Sequence, residues 1–137
     1  MTEAGRAEQD SASMAANAAY ETYVGPVERR DEPEGTVFRF TIAPHHLNGA
    51  DMLHGGMMMS LASIVLGAIA KDSAPDEPIQ AVSINCDFVG PGRAGDVVEG
   101  RGEITRRTRS IIFVNGTLTI GGKPIMTATG VWRIKAA

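Results

Sequence analysis

The run Met57–Ala70, MMMSLASIVLGAIA, constrains the fold of this chain more than any other segment. It predicts a helix whose apolar residues occupy every face, and a helix apolar all round has to be wrapped by the rest of the protein. Ser60 and Ser63 interrupt the run and Lys71-Asp72 close it. It therefore falls short of the roughly 20 apolar residues that span a bilayer, and it reads as a buried helix. Gly56, Ser60, Ser63 and Gly67 form a small-residue stripe at i, i+4, i+7, i+11. Backbone or ligand can approach closely there, and plain helix–sheet packing would explain the stripe equally well.

What wraps the helix must be sheet, because the flanking segments alternate with period two. Asp31-Glu32-Pro33-Glu34-Gly35 is a turn cluster between a strand near Tyr23 to Arg30 and a strand over Thr36 to Ile42 that ends at Pro44. After Ile79 come four more strand-like runs, Ala81 to Val89, Asp96 to Arg106, Ser110 to Ile120 and Lys123 to Ile134. They read as an antiparallel meander closed in turn by Gly90-Pro91-Gly92, Arg107-Thr108-Arg109 and Gly121-Gly122, the last a pair that primed hairpin turns favour. The layout predicted is α+β, one long buried helix wrapped by a curved antiparallel sheet of about five to six strands. A chain of 137 residues has the size of one domain. Residues 21–137 are assigned to it, after a lead over residues 1–20 that is a short helix or disordered.

Composition excludes several classes. Cys86 is the only cysteine, so an intrachain disulfide or a cysteine-built metal site is ruled out and a reducing compartment is expected. His45, His46 and His54 lack the HExxH spacing of a zinc hydrolase, and no metal is expected. A formal net charge of -3 argues against general nucleic-acid binding. The N-terminal MTEAGRAEQDSASMAANAAYETY has no basic start followed by an apolar core, and a cytoplasmic location without membrane attachment is expected.

The segment Asn48-Gly49-Ala50-Asp51-Met52-Leu53-His54-Gly55-Gly56 sets a polar loop directly before the predicted helix. The first turn of a helix has free N–H groups and a partial positive charge, which suit the oxyanion that develops on an attacked carbonyl. Glycine at positions 55 and 56 lets a substrate approach the backbone. A glycine-rich helix start capped by a histidine is the plain alternative.

Asn48, then His54-Gly55-Gly56, then the apolar helix, Ala81-Val82-Ser83 opening a strand, and Phe88-Val89-Gly90-Pro91-Gly92-Arg93-Ala94-Gly95-Asp96 follow one another in a characteristic order. The combination resembles the hotdog-fold thioesterases of the phenylacetyl-CoA thioesterase-like family and covers nearly the whole chain after about Thr36. The resemblance implies a hotdog fold and hydrolysis of acyl-CoA thioesters carrying a small aromatic or medium aliphatic acyl group. No cofactor is implied, since coenzyme A is part of the substrate. The assembly it implies is a homodimer or homotetramer with the site at a subunit interface, one chain supplying the loop and the other the helix. By resemblance Asn48 holds the loop or the attacking water, His54 stands near the thioester, Gly55 polarises its carbonyl and Ser83 lines the pocket; Gly56 would contact the substrate as the second of the two successive glycines.

The departure is Ser63, where that family places an aspartate or glutamate as base or nucleophile. A serine hydroxyl without a partnered base is a poor substitute. Asp51 in the loop and Asp87 on the strand face of Ser83 and Asn85 are the carboxylates that could serve instead. A second reading is a non-hydrolytic acyl-CoA binding protein, and a hotdog dehydratase or hydratase is a third. Arg93, Arg106, Arg107 and Arg109 could bind the phosphates of coenzyme A through the planar guanidinium, or be solvated turn residues; Met57-Met58-Met59 could shape an acyl pocket or fill core.

Overall fold

The computed structural model describes residues 19–135, so most of the lead assigned to residues 1–20 lies outside the described residues. A short helix α1 (Ala19–Val24) is followed by strands β1 (Glu28–Glu32) and β2 (Gly35–Thr41) and a 3-10 turn, Pro44–His46. Helix α2 (Gly55–Asp72) comes next, and then β3 (Ile79–Phe88), β4 (Val97–Arg107), β5 (Ile111–Ile120) and β6 (Lys123–Ile134). The strands form one six-stranded antiparallel sheet in the order β1-β2-β4-β5-β6-β3, confirming the α+β hotdog layout.

Close approach of helix to sheet explains two glycines. Gly102 and Gly116 face each other across β4 and β5, where a Cβ on Gly116 would stand 2.8 Å from Leu66 Cδ2 and one on Gly102 2.8 Å from Ile69 Cδ1. The bare backbone at this pair lets α2 sink into the curved sheet. The helix buries Met57, Met58, Leu61, Ala62, Val65, Leu66 and Ala70 against Phe38, Phe40, Val98, Val114, Leu118, Met126 and Trp132. By length and composition it is apolar enough to cross a membrane, but these residues make it the centre of the core.

Three expectations change. The segment near Tyr23, expected as strand, is the end of α1, and β1 begins only at Glu28; Pro26 and a cis Gly25-Pro26 bond separate the two, as proline's fixed φ and missing N–H favour. The four later strands are not a simple meander, because β3 pairs with β6 at the far edge while β4 lies beside β2. Gly90-Pro91-Gly92 is consequently part of a crossing segment, not a hairpin turn. Finally, α2 is not wrapped all round. Met59 is 48% exposed, Gly56 and Ser63 are exposed, and Ser60 and Gly67 are half-buried, so the small-residue face looks away from the sheet.

Candidate active site

The segment before α2 is folded by its own polar atoms. Asn48 Oδ1 accepts from the N–H groups of Ala50 (2.9 Å) and Met52 (3.2 Å), while its backbone N–H donates to Met52 O (2.7 Å). Asp51 completes the turn with φ 58°, a conformation that aspartate tolerates better than most residues. Leu47 and Leu53 bridge the base of the loop. Leu53 N–H then donates to Gly92 O at 2.7 Å, so the β3–β4 crossing segment holds the loop from below. A Cβ on Gly92 would stand 2.8 Å from Ile42 Cδ1 and 3.3 Å from Leu53 Cβ, which explains glycine there.

His46 ties the loop to α1. Its Nδ1 accepts from Ala43 N–H (2.9 Å), which leaves the proton on Nε2 to be donated to Val24 O (2.7 Å), and its backbone carbonyl accepts from His54 N–H (2.9 Å). The ring is 5% exposed and meets Phe40 edge-on at 4.6 Å. Burial pushes its pKa below 6.5; the bond to Val24 opposes this and nearby His45 adds to it. The folded protein thus binds the proton less readily than the unfolded chain. The stabilisation is complete above about pH 6.5 and declines as pH falls through the depressed folded value. We predict that an NMR titration places the His46 imidazole below 6.5 and that the denaturant midpoint falls on acidification; titration at or above 6.5 would contradict the burial argument.

His54 is the N-cap of α2, and its Nδ1 accepts from Gly56 N–H at 2.8 Å. The remaining imidazole proton therefore sits on Nε2, exposed and able to donate. Met57 and Met58 N–H both donate to His54 O. Gly55 N–H is left as the first-turn donor without a hydrogen-bond partner among the described residues, at the positive end of an 18-residue helix. A Cβ on Gly55 would stand 3.3 Å from Phe88 Cε1, and Phe88 is 52% exposed. The free amide thus borders an open apolar ring. Such a donor beside a hydrophobic wall can polarise a carbonyl whose substituents are apolar.

Two cavities flank the outward face of α2. One, about 510 Å³, is lined by Tyr20, Tyr23, His45, His54, Gly56 and Ser60 among others. Ser60 Oγ donates to Gly56 O (3.1 Å), so the 2.6 Å contact with Tyr20 is donated by the Tyr20 hydroxyl. The second, about 480 Å³, is lined by Ser63, Gly67, Glu21, Arg29, Phe38 and Lys71 among others. Sequence reasoning missed Tyr20 and Glu21 as site neighbours, and it named Ser60 only within the small-residue stripe and Phe88 only within the run that carries the resemblance. The only signal was the small-residue stripe, which located the face but not what covers it.

Other residues expected at the site lie elsewhere in the single chain. Ser83, Asn85 and Asp87 pair with Val131, Thr129 and Thr127, whereas Ile84 and Cys86 between them pack towards the core. Ser83 and Asp87 therefore sit on the sheet face opposite α2. Burial, with Asp87 adding, pushes the Cys86 thiol up, making it a weak nucleophile. Arg107 donates to Ser73 O (3.1 Å) and pairs with Glu77 (3.5 Å), just beyond the C-terminus of α2. Arg109 is exposed on the adjoining turn. At about 1.5 Å per residue this end of the helix lies some 25 Å from Gly55.

Comparison with known proteins agrees with this geometry. Residues 50–125, more than half the chain, match the thioesterase superfamily. A Pseudomonas aeruginosa protein named as a candidate esterase is 29% identical over 107 residues, which are 77% of this chain and 80% of that protein. The fold is similar to E. coli PaaI, from the phenylacetic acid degradation operon, with TM-score 0.77 and 20% identity over 99% of this chain and 98% of that one. It is also similar to the Bacillus halodurans BH2602 protein, whose crystal structure contains CoA, with TM-score 0.79 and 22% identity over 93% and 88% of the two chains. A polar loop feeding a free amide at the start of a buried helix, in this sheet order and with this match, places the chain in the thioesterase superfamily.

Proposed function

We propose that this protein is an acyl-CoA thioesterase acting on a small aromatic or medium aliphatic acyl group. The observation that carries the proposal is the unpartnered Gly55 N–H, with His54 Nε2–H beside it and the exposed Phe88 ring as apolar wall. The amide would hold the thioester carbonyl oxygen and stabilise the negative charge that grows on it as water attacks. Asn48 would act through the loop, because its carboxamide oxygen is committed to Ala50 and Met52. Superfamily membership and the coenzyme A in the related B. halodurans structure support coenzyme A as the carrier. The enzyme would work in the cytoplasm without a metal or a cofactor.

The working unit would be a homodimer, joined through β3. The two sheet edges differ. β1 is five residues, all charged, a composition that discourages edge pairing. β3 is ten residues with Asp87 as its sole charge, and Val82, Phe88 and Val89 near it are exposed, as is Met59 on α2. Such an edge beside an apolar patch calls for a second copy. Along α2, Gly55 and Ser63 are separated by about 12 Å, too far to share one carbonyl, so a site using both has to be built from two chains. Sedimentation should show a dimer or tetramer at micromolar concentration; a monomer alone would remove the shared site.

Ser63, where a carboxylate was expected, favours a second reading, an acyl-CoA binding protein without turnover. Thiol release and equilibrium binding measured on the same acyl-CoA panel separate the two. Saturable thiol release supports the thioesterase; binding without release supports the binder.

A further inference from the structure

The proposed thioesterase lacks a carboxylate on α2 at Ser63, and neither carboxylate considered from the sequence faces that position. Asp51 is held in the loop turn and Asp87 is on the opposite sheet face. A different carboxylate shares its cavity. Glu21, on α1, lines the same cavity of about 480 Å³ as Ser63 and Gly67. The Tyr20 hydroxyl on Ser60, one turn before Ser63, docks α1 on this face of α2, and the Val24 carbonyl on the buried His46 ring fixes the other end of α1 to the loop before α2. The two cations on the cavity wall are engaged elsewhere. Arg29 makes a two-pronged pair with Asp72 (2.6 and 3.1 Å) and also meets Asp31, while Lys71 donates to Glu77 O (2.6 Å). Neither forms an ion pair with Glu21.

We infer that Glu21 is the catalytic carboxylate of this protein, standing in from α1 for the side chain that Ser63 does not supply. The inference rests on the thioesterase reading and on the two-chain site, in which Glu21 of one chain faces the Gly55 loop of the other. Glu21 takes a proton from a water molecule as the water oxygen bonds to the thioester carbonyl carbon, and the carbonyl π pair moves onto the oxygen held by Gly55 N–H. The intermediate collapses by re-forming the carbonyl and breaking the C–S bond. The thiolate leaves with the proton returned by Glu21, giving the acid and free coenzyme A.

The test is thiol release by the full-length protein with the acyl-CoA that the wild type hydrolyses best. Glu21 is exposed, so Glu21→Gln should fold normally. We expect its kcat to fall by about 10² or more, the range of a positioned general base, with KM little changed. Ser63→Asp added to Glu21→Gln should recover most of the loss, because the new carboxylate enters the same cavity. Co-expressing Glu21→Gln with Gly55→Val should regain about a quarter of wild-type activity, since half of randomly paired dimers carry one intact site. Unchanged kcat in Glu21→Gln, or failure of either rescue, would overturn the assignment while leaving the thioesterase reading intact if the wild type releases thiol. A wild type that binds acyl-CoA and releases none would overturn both.

Discussion

Gly55→Val is expected to lower kcat/KM for acyl-CoA hydrolysis by about 10² to 10³, the effect of losing one oxyanion donor, while the protein remains folded. The substitution leaves the amide in place but surrounds it with methyl groups. Its Cβ would stand 3.3 Å from Phe88 Cε1, and because Phe88 is half exposed the ring can swing aside and the fold absorbs the change. The thioester cannot respond in this way, since its carbonyl must come within hydrogen-bond distance of Gly55 N–H. Steady-state kinetics together with circular dichroism check this expectation. A folded Gly55→Val protein with unaltered turnover and binding would reduce the loop to a helix cap.

Ser63→Asp is expected to act in the opposite direction, raising hydrolysis about tenfold, less than the roughly 10² to 10⁴ that a positioned base supplies where none is present, because Glu21 already serves. Glu21 enters the cavity from a six-residue helix, whereas an aspartate at position 63 would stand on the 18-residue core helix, where its geometry is set by packing. Initial rates at saturating acyl-CoA read the gain. A wild type already fast and slowed by the substitution would mean that Glu21 alone fills the place of the base and that position 63 has to stay small, and Glu21→Gln would then collapse the rate without loss of binding.

The fold was legible in the sequence wherever local physics settles structure. β6 runs over Lys123–Ile134 as its alternation predicts, and Gly121 and Gly122 take φ of 56° and 81°, as a primed turn requires. The polar loop before an apolar run announced α2, which starts at Gly55, two residues ahead of that run. What could not be read was which strands pair, because alternation reports the faces of a strand and not its neighbours. The crossing of β3 to the far edge depends on contacts such as Leu53 N–H to Gly92 O that join distant parts of the chain.

The same limit hid half of the candidate site. Asn48, His54, Gly55 and Gly56 are contiguous enough to announce a loop and a helix cap. Tyr20 meets Ser60 across 40 residues of sequence, and nothing in the alanine-rich segment around Tyr20 marks it as a partner. The resemblance places Ser83 with the loop, and the shared strand face adds Asp87. The pleat places that face away from α2 in the single chain, so any role at the thioester would need a second copy.

The central claim is that the thioester carbonyl is held by the Gly55 amide at the start of α2. A crystal structure with an acyl-CoA analogue whose sulfur is replaced by methylene tests it most directly. The account predicts the analogue's carbonyl oxygen within about 3 Å of Gly55 N, its acyl group against Phe88, and Glu21 of the partner chain on the other side of the carbonyl. An acyl group lodged away from Gly55, with that amide still facing solvent, would contradict it.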